Sequence, residues 1–189
     1  NDVHGHGAGD AVLKKVATRI ADVLPPKNLL ARLGGDEFAC AFIFDPEQPK
    51  MVEQIADDLI DAIAAPIIED GVQLVVTTSI GMARYDMESE GVDVLMRRAD
   101  IAMYSSKKQG RNRHCWFDAN MEQELQTRSL LETGMRAGIP TGEFVPYFEQ
   151  QIDLATGRLT GFEMLARWES PTQGLISPEI FIPIAEETG

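Results

Sequence analysis

The sequence is short of cysteine, of cations and of long apolar runs, and each shortage removes a class of protein. Only Cys40 and Cys115 occur in 189 residues, and Cys40 lies in an apolar run, so a secreted disulfide framework is not expected and a reducing compartment is. Lys and Arg number 17 against 30 Asp and Glu, a formal net charge of −13. Nucleic acid and anionic membrane are polyanions, so neither is expected as a general partner. No apolar run approaches the roughly 20 residues needed to cross a bilayer. Membrane attachment is left to a segment upstream of Asn1, and the opening Asn1-Asp2-Val3-His4 reads as the start of a piece of something longer. Hydrophobic residues at 44% and charged residues at 25% then place the chain among ordinary globular proteins.

Apolar periodicity gives the order of elements. Asp10 is a candidate N-cap for a helix carrying Val12, Leu13, Val16, Ile20 and Val23 on one stripe, ended by Pro25-Pro26. Leu29 to Leu33 and Phe38 to Phe44 flank Gly34-Gly35-Asp36-Glu37 and read as a hairpin. A second helix spans Met51 to Ala64, a strand follows at Val72 to Thr78, and a third helix runs from Val92 to Lys108 with Gly110 as its stop. His114 to Phe117 reads as one more strand. Helices alternating with strands that include a hairpin predict an α/β (α+β) fold, a mixed sheet covered by helices.

Beyond Phe117 the pattern changes. Residues 119–142 read as a linker helix and domain edge, with Gly134, Gly138, Pro140 and Gly142 interrupting the helical pattern. Phe144 to Ile152 and Arg158 to Trp168 form a second hairpin around Ala155-Thr156-Gly157, and Pro178 opens a last helix. In the longer strand Glu163, Leu165 and Arg167 share one face, and Phe162, Met164, Ala166 and Trp168 the other. Glu163 and Arg167 are then roughly 13 Å apart at about 3.3 Å per residue. A hairpin and a helix do not bury themselves, so 143–189 is expected to be an incomplete domain.

Two clusters carry chemistry. Asp36 and Glu37 are adjacent carboxylates that can share a hard divalent ion, beside glycines that let a polyanion approach the backbone. On spacing alone a solvated hairpin tip is the favoured explanation, because Gly and Asp are expected there. Lys107 and Arg111, followed by Asn112 and Arg113, could hold phosphate oxygens or simply sit well at a helix C-terminus.

Four motifs in order resolve this. Asn1-Asp2-x-x-Gly5-His6-x-x-Gly9-Asp10, Ala31-Arg32-Leu33-Gly34-Gly35-Asp36-Glu37-Phe38, Ser79-Ile80-Gly81 and Ala99-Asp100-x-Ala102-Met103-Tyr104-x-x-Lys107-x-x-Gly110-Arg111-Asn112 resemble the GGDEF family of diguanylate cyclases over residues 1–118. The resemblance implies a fold similar to nucleotide cyclases and polymerase palms, and condensation of two GTP into cyclic di-GMP by a two-fold homodimer of GGDEF domains. It implies that Asp36 and Glu37 bind Mg²⁺ (or Mn²⁺) beside the attacking 3′-hydroxyl. Lys107 and Arg111 would grip the terminal phosphates, Asn1 and Asp10 would read guanine, and Gly34 and Gly35 would admit the nucleotide. The family's opening strand, with another acidic ligand, is expected before Asn1. Pro25-Pro26-Lys27-Asn28 stands where many cyclases carry an Arg-x-x-Asp product-inhibition site, so feedback through that site is not expected.

Residues from about 123 to 189 resemble the opening of an EAL domain, the cyclic di-GMP phosphodiesterase module that starts a TIM-like barrel, with 143–189 as its N-terminal fragment. The matching stretches are Gly142-Glu143-Phe144-Val145-Pro146-Tyr147-Phe148-Glu149-Gln150, Gly161-Phe162-Glu163-Met164-Leu165-Ala166-Arg167-Trp168 and Ile180-Phe181-Ile182-Pro183-Ile184-Ala185-Glu186-Glu187. The signature reads Glu-Met-Leu, with Glu163 kept as the metal-binding acid and Arg167 as a ligand-binding residue. Glu149-Gln150 replaces the usual Gln-Pro. The remaining ligands would lie past Gly189, so phosphodiesterase activity is not expected of this chain. A silent, GTP-sensing GGDEF domain that tunes an attached phosphodiesterase is the alternative reading. The need for GTP implies a cytoplasmic location.

Overall fold

The computed structural model describes residues 5–69, 71–85 and 91–188, with side chains in the first helix from residue 9. The chain divides into two compact units, Asn1–Met121 and Glu122–Gly189.

The first unit opens with helix α1 (Gly5–Val23). It starts ahead of Asp10, which is therefore inside the helix and not its N-cap. The stripe of Val16 and Ile20, both buried, packs against Leu59 and Ile63, and such packing outweighs the weak propensity of the glycine-rich start. Strands β1 (Leu29–Gly34) and β2 (Glu37–Ala41) form the expected antiparallel hairpin. The second strand stops at Ala41, short of Phe44, because Ala41 pairs with Leu29, the first residue of its partner. Helix α2 (Pro49–Ala64) buries Val52, Ala56, Leu59, Ile60 and Ile63 and leaves its aspartates outside.

Two short strands follow, β3 (Ile67–Glu69) and β4 (Val72–Leu74), paired antiparallel. The predicted strand at Val72 to Thr78 thus pairs over its first three residues only. Strand β5 (Ile80–Met82) pairs in parallel with β6 (His114–Trp116), joined through helix α3 (Val92–Lys108). Antiparallel and parallel pairs together make the fold mixed α/β, as expected. Gly81 is the point of closest approach: a Cβ there would collide with the backbone carbonyl of Ala99 and the backbone nitrogen of Met103. Ala102 and Ser106 are wholly buried on the same helix.

Helix α4 (Ala119–Thr141) continues through Gly134, Gly138 and Pro140, so these residues do not break the helix as its sequence suggests. Packing within the second unit gives the reason. Trp168 lies against Gly134, and the Glu143 carboxylate lies against Gly138, where any larger residue would intrude. Strands β7 (Phe144–Ile152), β8 (Leu159–Ser170) and β9 (Gly174–Ile176) form one antiparallel sheet, and helix α5 (Pro178–Thr188) follows. Leu131, Met135, Trp168, Ile176, Phe181 and Ile184 make the small core, with Phe144 stacked on Trp168 at 5.1 Å between ring centres. Farther along the same sheet face Phe148, Phe162 and Met164 remain exposed.

Candidate functional site

The β1–β2 hairpin carries the acids. Its register runs Leu29↔Ala41 through Arg32↔Phe38, then jumps to Gly34↔Glu37, leaving Leu33 as a bulge. Gly35 and Asp36 form the two-residue loop, with Gly35 at φ +50°, a left-handed value that glycine adopts without strain. Asp36 therefore occupies the tip and Glu37 the first position of β2, both exposed. A Cβ built on Gly34 or Gly35 meets nothing within 4 Å, so the space over the turn is open.

The cations arrive from the far end of α3. Lys107 is in the last turn, and the chain then folds back through Gly110, Arg111 and Asn112 at φ +114°, +58° and +50°. Two consecutive non-glycine residues in the left-handed region are costly, on the order of 1–2 kcal/mol each, and such strain gathers at functional sites. The Arg111 amide closes the turn by donating to the Ser106 carbonyl at 3.2 Å.

Asp36, Glu37, Lys107 and Arg111 all line one cavity of about 570 Å³ between the hairpin, α1, α3 and the 76–81 segment. Its interior is apolar, with Val16, Ile20, Leu59 and Ile63 among its walls. Acids and cations about 70 positions apart in the sequence thus meet at one cavity. Asp100 lines it too; its motif was legible in the sequence, but spacing gave it no role. Asp10 is exposed on α1 and is not among the lining residues, and Asn1 lies outside the described residues.

Among the described residues no three His, Cys, Asp or Glu side chains gather to hold a metal by themselves. Asp36 and Glu37 supply two hard oxygen donors at an open tip. That donor set fits Mg²⁺, which characteristically takes one or two carboxylates and completes its shell with water and phosphate oxygens.

Residues 1–113 match the family described as diguanylate cyclase, GGDEF domain, and residues 132–189 match the EAL domain. The chain belongs to the GGDEF family. It is 35% identical over its whole length to the bifunctional diguanylate cyclase/cyclic di-GMP phosphodiesterase MucR of Pseudomonas aeruginosa, covering 27% of that protein. It is 34% identical to the biofilm architecture maintenance protein MbaA of Vibrio cholerae, covering all of this chain and 25% of that one. The chain therefore spans about a quarter of the length of these relatives. Among solved structures, the GGDEF domain of YfiN (TpbB) from Pseudomonas aeruginosa superposes with a TM-score of 0.60 at 38% identity, covering 67% of this chain and 73% of that one. The GGDEF domain of DgcB from Caulobacter crescentus, solved with c-di-GMP, gives 0.55 at 33% identity, covering 61% and 68%. The chain is a GGDEF domain followed by a partial EAL domain, the order found in cyclic di-GMP signalling proteins.

In the EAL segment, Glu163 and Arg167 share a face of β8 as the alternation predicts. Glu163 lies directly opposite Glu149 of β7, and Arg167 opposite Val145. Nη1 of Arg167 donates to the Ala166 carbonyl at 2.8 Å, and its guanidinium lies 5.4 Å from the centre of the Tyr147 ring. The Tyr147 hydroxyl donates to Glu169 at 2.8 Å. That hydrogen bond, and next the Glu169 charge, push the Tyr147 phenol above its ordinary range.

Proposed function

We propose that this chain is the diguanylate cyclase part of a GGDEF–EAL protein and joins two GTP molecules into cyclic di-GMP. The observation that carries the proposal is the convergence of Asp36 and Glu37 with Lys107 and Arg111 on one cavity. A nucleoside triphosphate needs both: oxygen donors for its divalent ion and cations for its terminal phosphates.

In this reading Asp36 and Glu37 hold Mg²⁺ or Mn²⁺, with Glu37 beside the 3′-hydroxyl. The bound ion supplies charge neutralisation at the phosphates and lowers the cost of forming an alkoxide. Lys107 acts as a point charge and Arg111 as a forked donor on the terminal phosphates. Gly34 and Gly35 keep the approach open, and Asn1 and Asp10 read the guanine. Each 3′-hydroxyl attacks the α-phosphorus of the other GTP, pyrophosphate leaves, and two such attacks close the ring. One domain holds one GTP, so the reaction requires a homodimer with its two sites face to face. Glu163 and Arg167 belong to the cyclic di-GMP site of the EAL domain, with Glu163 a metal ligand there. GTP and cyclic di-GMP are the small-molecule partners, and the site works in the cytoplasm, where GTP is available.

The test is to incubate a polypeptide carrying both domains at full length with GTP and Mg²⁺ and to resolve the nucleotides by chromatography. Cyclic di-GMP, or linear pGpG from its hydrolysis, is expected, and Glu37→Gln should abolish both while GTP still binds. Unchanged GTP would overturn the cyclase in favour of a GTP-sensing domain.

A further inference from the structure

The hairpin that presents Asp36 and Glu37 is weakest just below its tip. The ladder skips Leu33, so the last regular pair, Arg32↔Phe38, is separated by the bulge from the closing pair Gly34↔Glu37. A bulge disrupts the ladder and lets the bulged strand bend. One side chain spans the break. Arg32 donates from both Nε and Nη2 to the carbonyl of Gly35, at 3.0 and 2.7 Å. That carbonyl belongs to the peptide unit joining Gly35 to Asp36, so holding the oxygen fixes the plane from which the Asp36 Cα departs. Among the described residues Arg32 forms no ion pair, and its side chain is committed to this backbone contact.

We propose that Arg32 is a positioning residue: its guanidinium locks the hairpin tip so that the Asp36 and Glu37 carboxylates stand ready for one divalent ion. This rests on the cyclase reading of the tip but can be tested apart from turnover. An exposed guanidinium held by a neutral carbonyl contributes little to global stability, whereas loss of an outer partner that orients the ligands lowers metal affinity by about 10- to 100-fold. Misplacing a reacting group by about 1 Å costs on the order of 10²-fold in rate.

The experiment compares the unmutated two-domain polypeptide with Arg32→Ala and Arg32→Lys. Mn²⁺ is titrated by electron paramagnetic resonance in the presence of a GTP analogue blocked at the α–β bridge. GTP turnover and thermal melting are measured in parallel. The expected result for Arg32→Ala is roughly tenfold weaker Mn²⁺ binding, a lower kcat and an unchanged KM at saturating metal. Melting should be unaltered, and Arg32→Lys, which keeps a single donor, should recover part of the loss. Unchanged Mn²⁺ affinity in a folded Arg32→Ala protein would overturn the proposal. So would a raised KM with kcat retained, which would make Arg32 a phosphate ligand. If Arg32→Ala does not fold, Arg32→Lys alone decides: Mn²⁺ binding equal to that of the unmutated protein overturns the role. Should the unmutated protein bind Mn²⁺ and the analogue yet make no product, the cyclase reading fails and the Mn²⁺ titration still decides for or against Arg32.

Discussion

The indole Nε1 of Trp168 donates a 2.9 Å hydrogen bond to Oε2 of Glu143, and that same oxygen would be the nearest atom, at 2.7 Å, to a Cβ placed on Gly138. The carboxylate is held on its other oxygen by the Thr141 hydroxyl at 3.2 Å. Gly138 therefore gives the helix room for a side chain that satisfies an almost fully buried tryptophan. Gly138→Ala should push Glu143 aside, strand the indole N–H and cost about 1–3 kcal/mol. Urea unfolding of the variant, followed by the fluorescence of Trp168 in a Trp116→Phe background, checks this.

Gly81 has no such flexible neighbour. Backbone atoms of Ala99 and Met103 occupy the position of its missing Cβ, and neither can move without displacing α3 from β5. Gly81→Ala should cost about 3 kcal/mol or more. Circular dichroism melting would show it as a large drop in midpoint, and an unchanged midpoint would contradict the close approach.

Arg19 of α1 ties off the end of α2. It donates to the carbonyls of Ile63 in the last turn of α2 and of Ala65 and Pro66 just past its end, at 3.0, 2.5 and 2.9 Å; a carbonyl in the last turn has no partner within the helix. Arg19→Ala should lose about 1–2 kcal/mol in denaturant unfolding. Arg19→Lys should recover only part, because a point charge cannot serve three carbonyls as the fork does.

Asp153 governs an acid-dependent hairpin. Its carboxylate accepts from the amides of Ala155 and Thr156 at 2.8 and 2.9 Å, and these bonds, that to Thr156 first, hold its carboxyl below the ordinary aspartate range. A lowered folded value means stability present above the unfolded value and lost as pH falls through the folded one. The melting difference between the unmutated protein and Asp153→Ala should therefore be full above the ordinary aspartate range and shrink progressively as pH falls below it.

Glu149 and Glu163 face each other across β7 and β8, and like charges directly opposite on a sheet repel. With no ion added, Glu149→Gln should stabilise the second unit by about 0.5 kcal/mol. Salt should shrink the gain by screening the repulsion. A melting series in rising NaCl reads both effects.

What the sequence revealed depended on how local each signal was. The Gly34-Gly35-Asp36-Glu37 turn and the apolar stripe of α1 are written within a few residues and appear where the pattern predicts, although α1 itself begins ahead of Asp10. Strands β3, β5 and β9 have three residues each, too few for a period of two to show; β3 and β9 are held by a neighbouring strand across a short turn, and β5 by β6, more than 30 residues on. Val75 to Ser79 has β-branched residues in plenty and pairs with no strand among the described residues. The continuation of α4 through Gly134 and Gly138 reflects the demands of Trp168 and Glu143, which no local rule contains. At the cavity, the acids and cations could be named from their motifs. That Arg32 bridges the bulge beneath them could be read only from the hairpin's register.

The two charged sides of the cavity are brought together by contacts of very different sequence separation. Asp36 and Glu37 sit on a hairpin whose ends are a dozen residues apart, whereas Lys107 and Arg111 depend on the packing of α3, which joins the parallel strands β5 and β6. A ligand that grips both halves selects the finished domain over every partly assembled one, and stabilises it by RT ln(1 + [L]/Kd). A nucleotide bound there would then act as a folding ligand, and the native fraction of the domain would rise with its concentration.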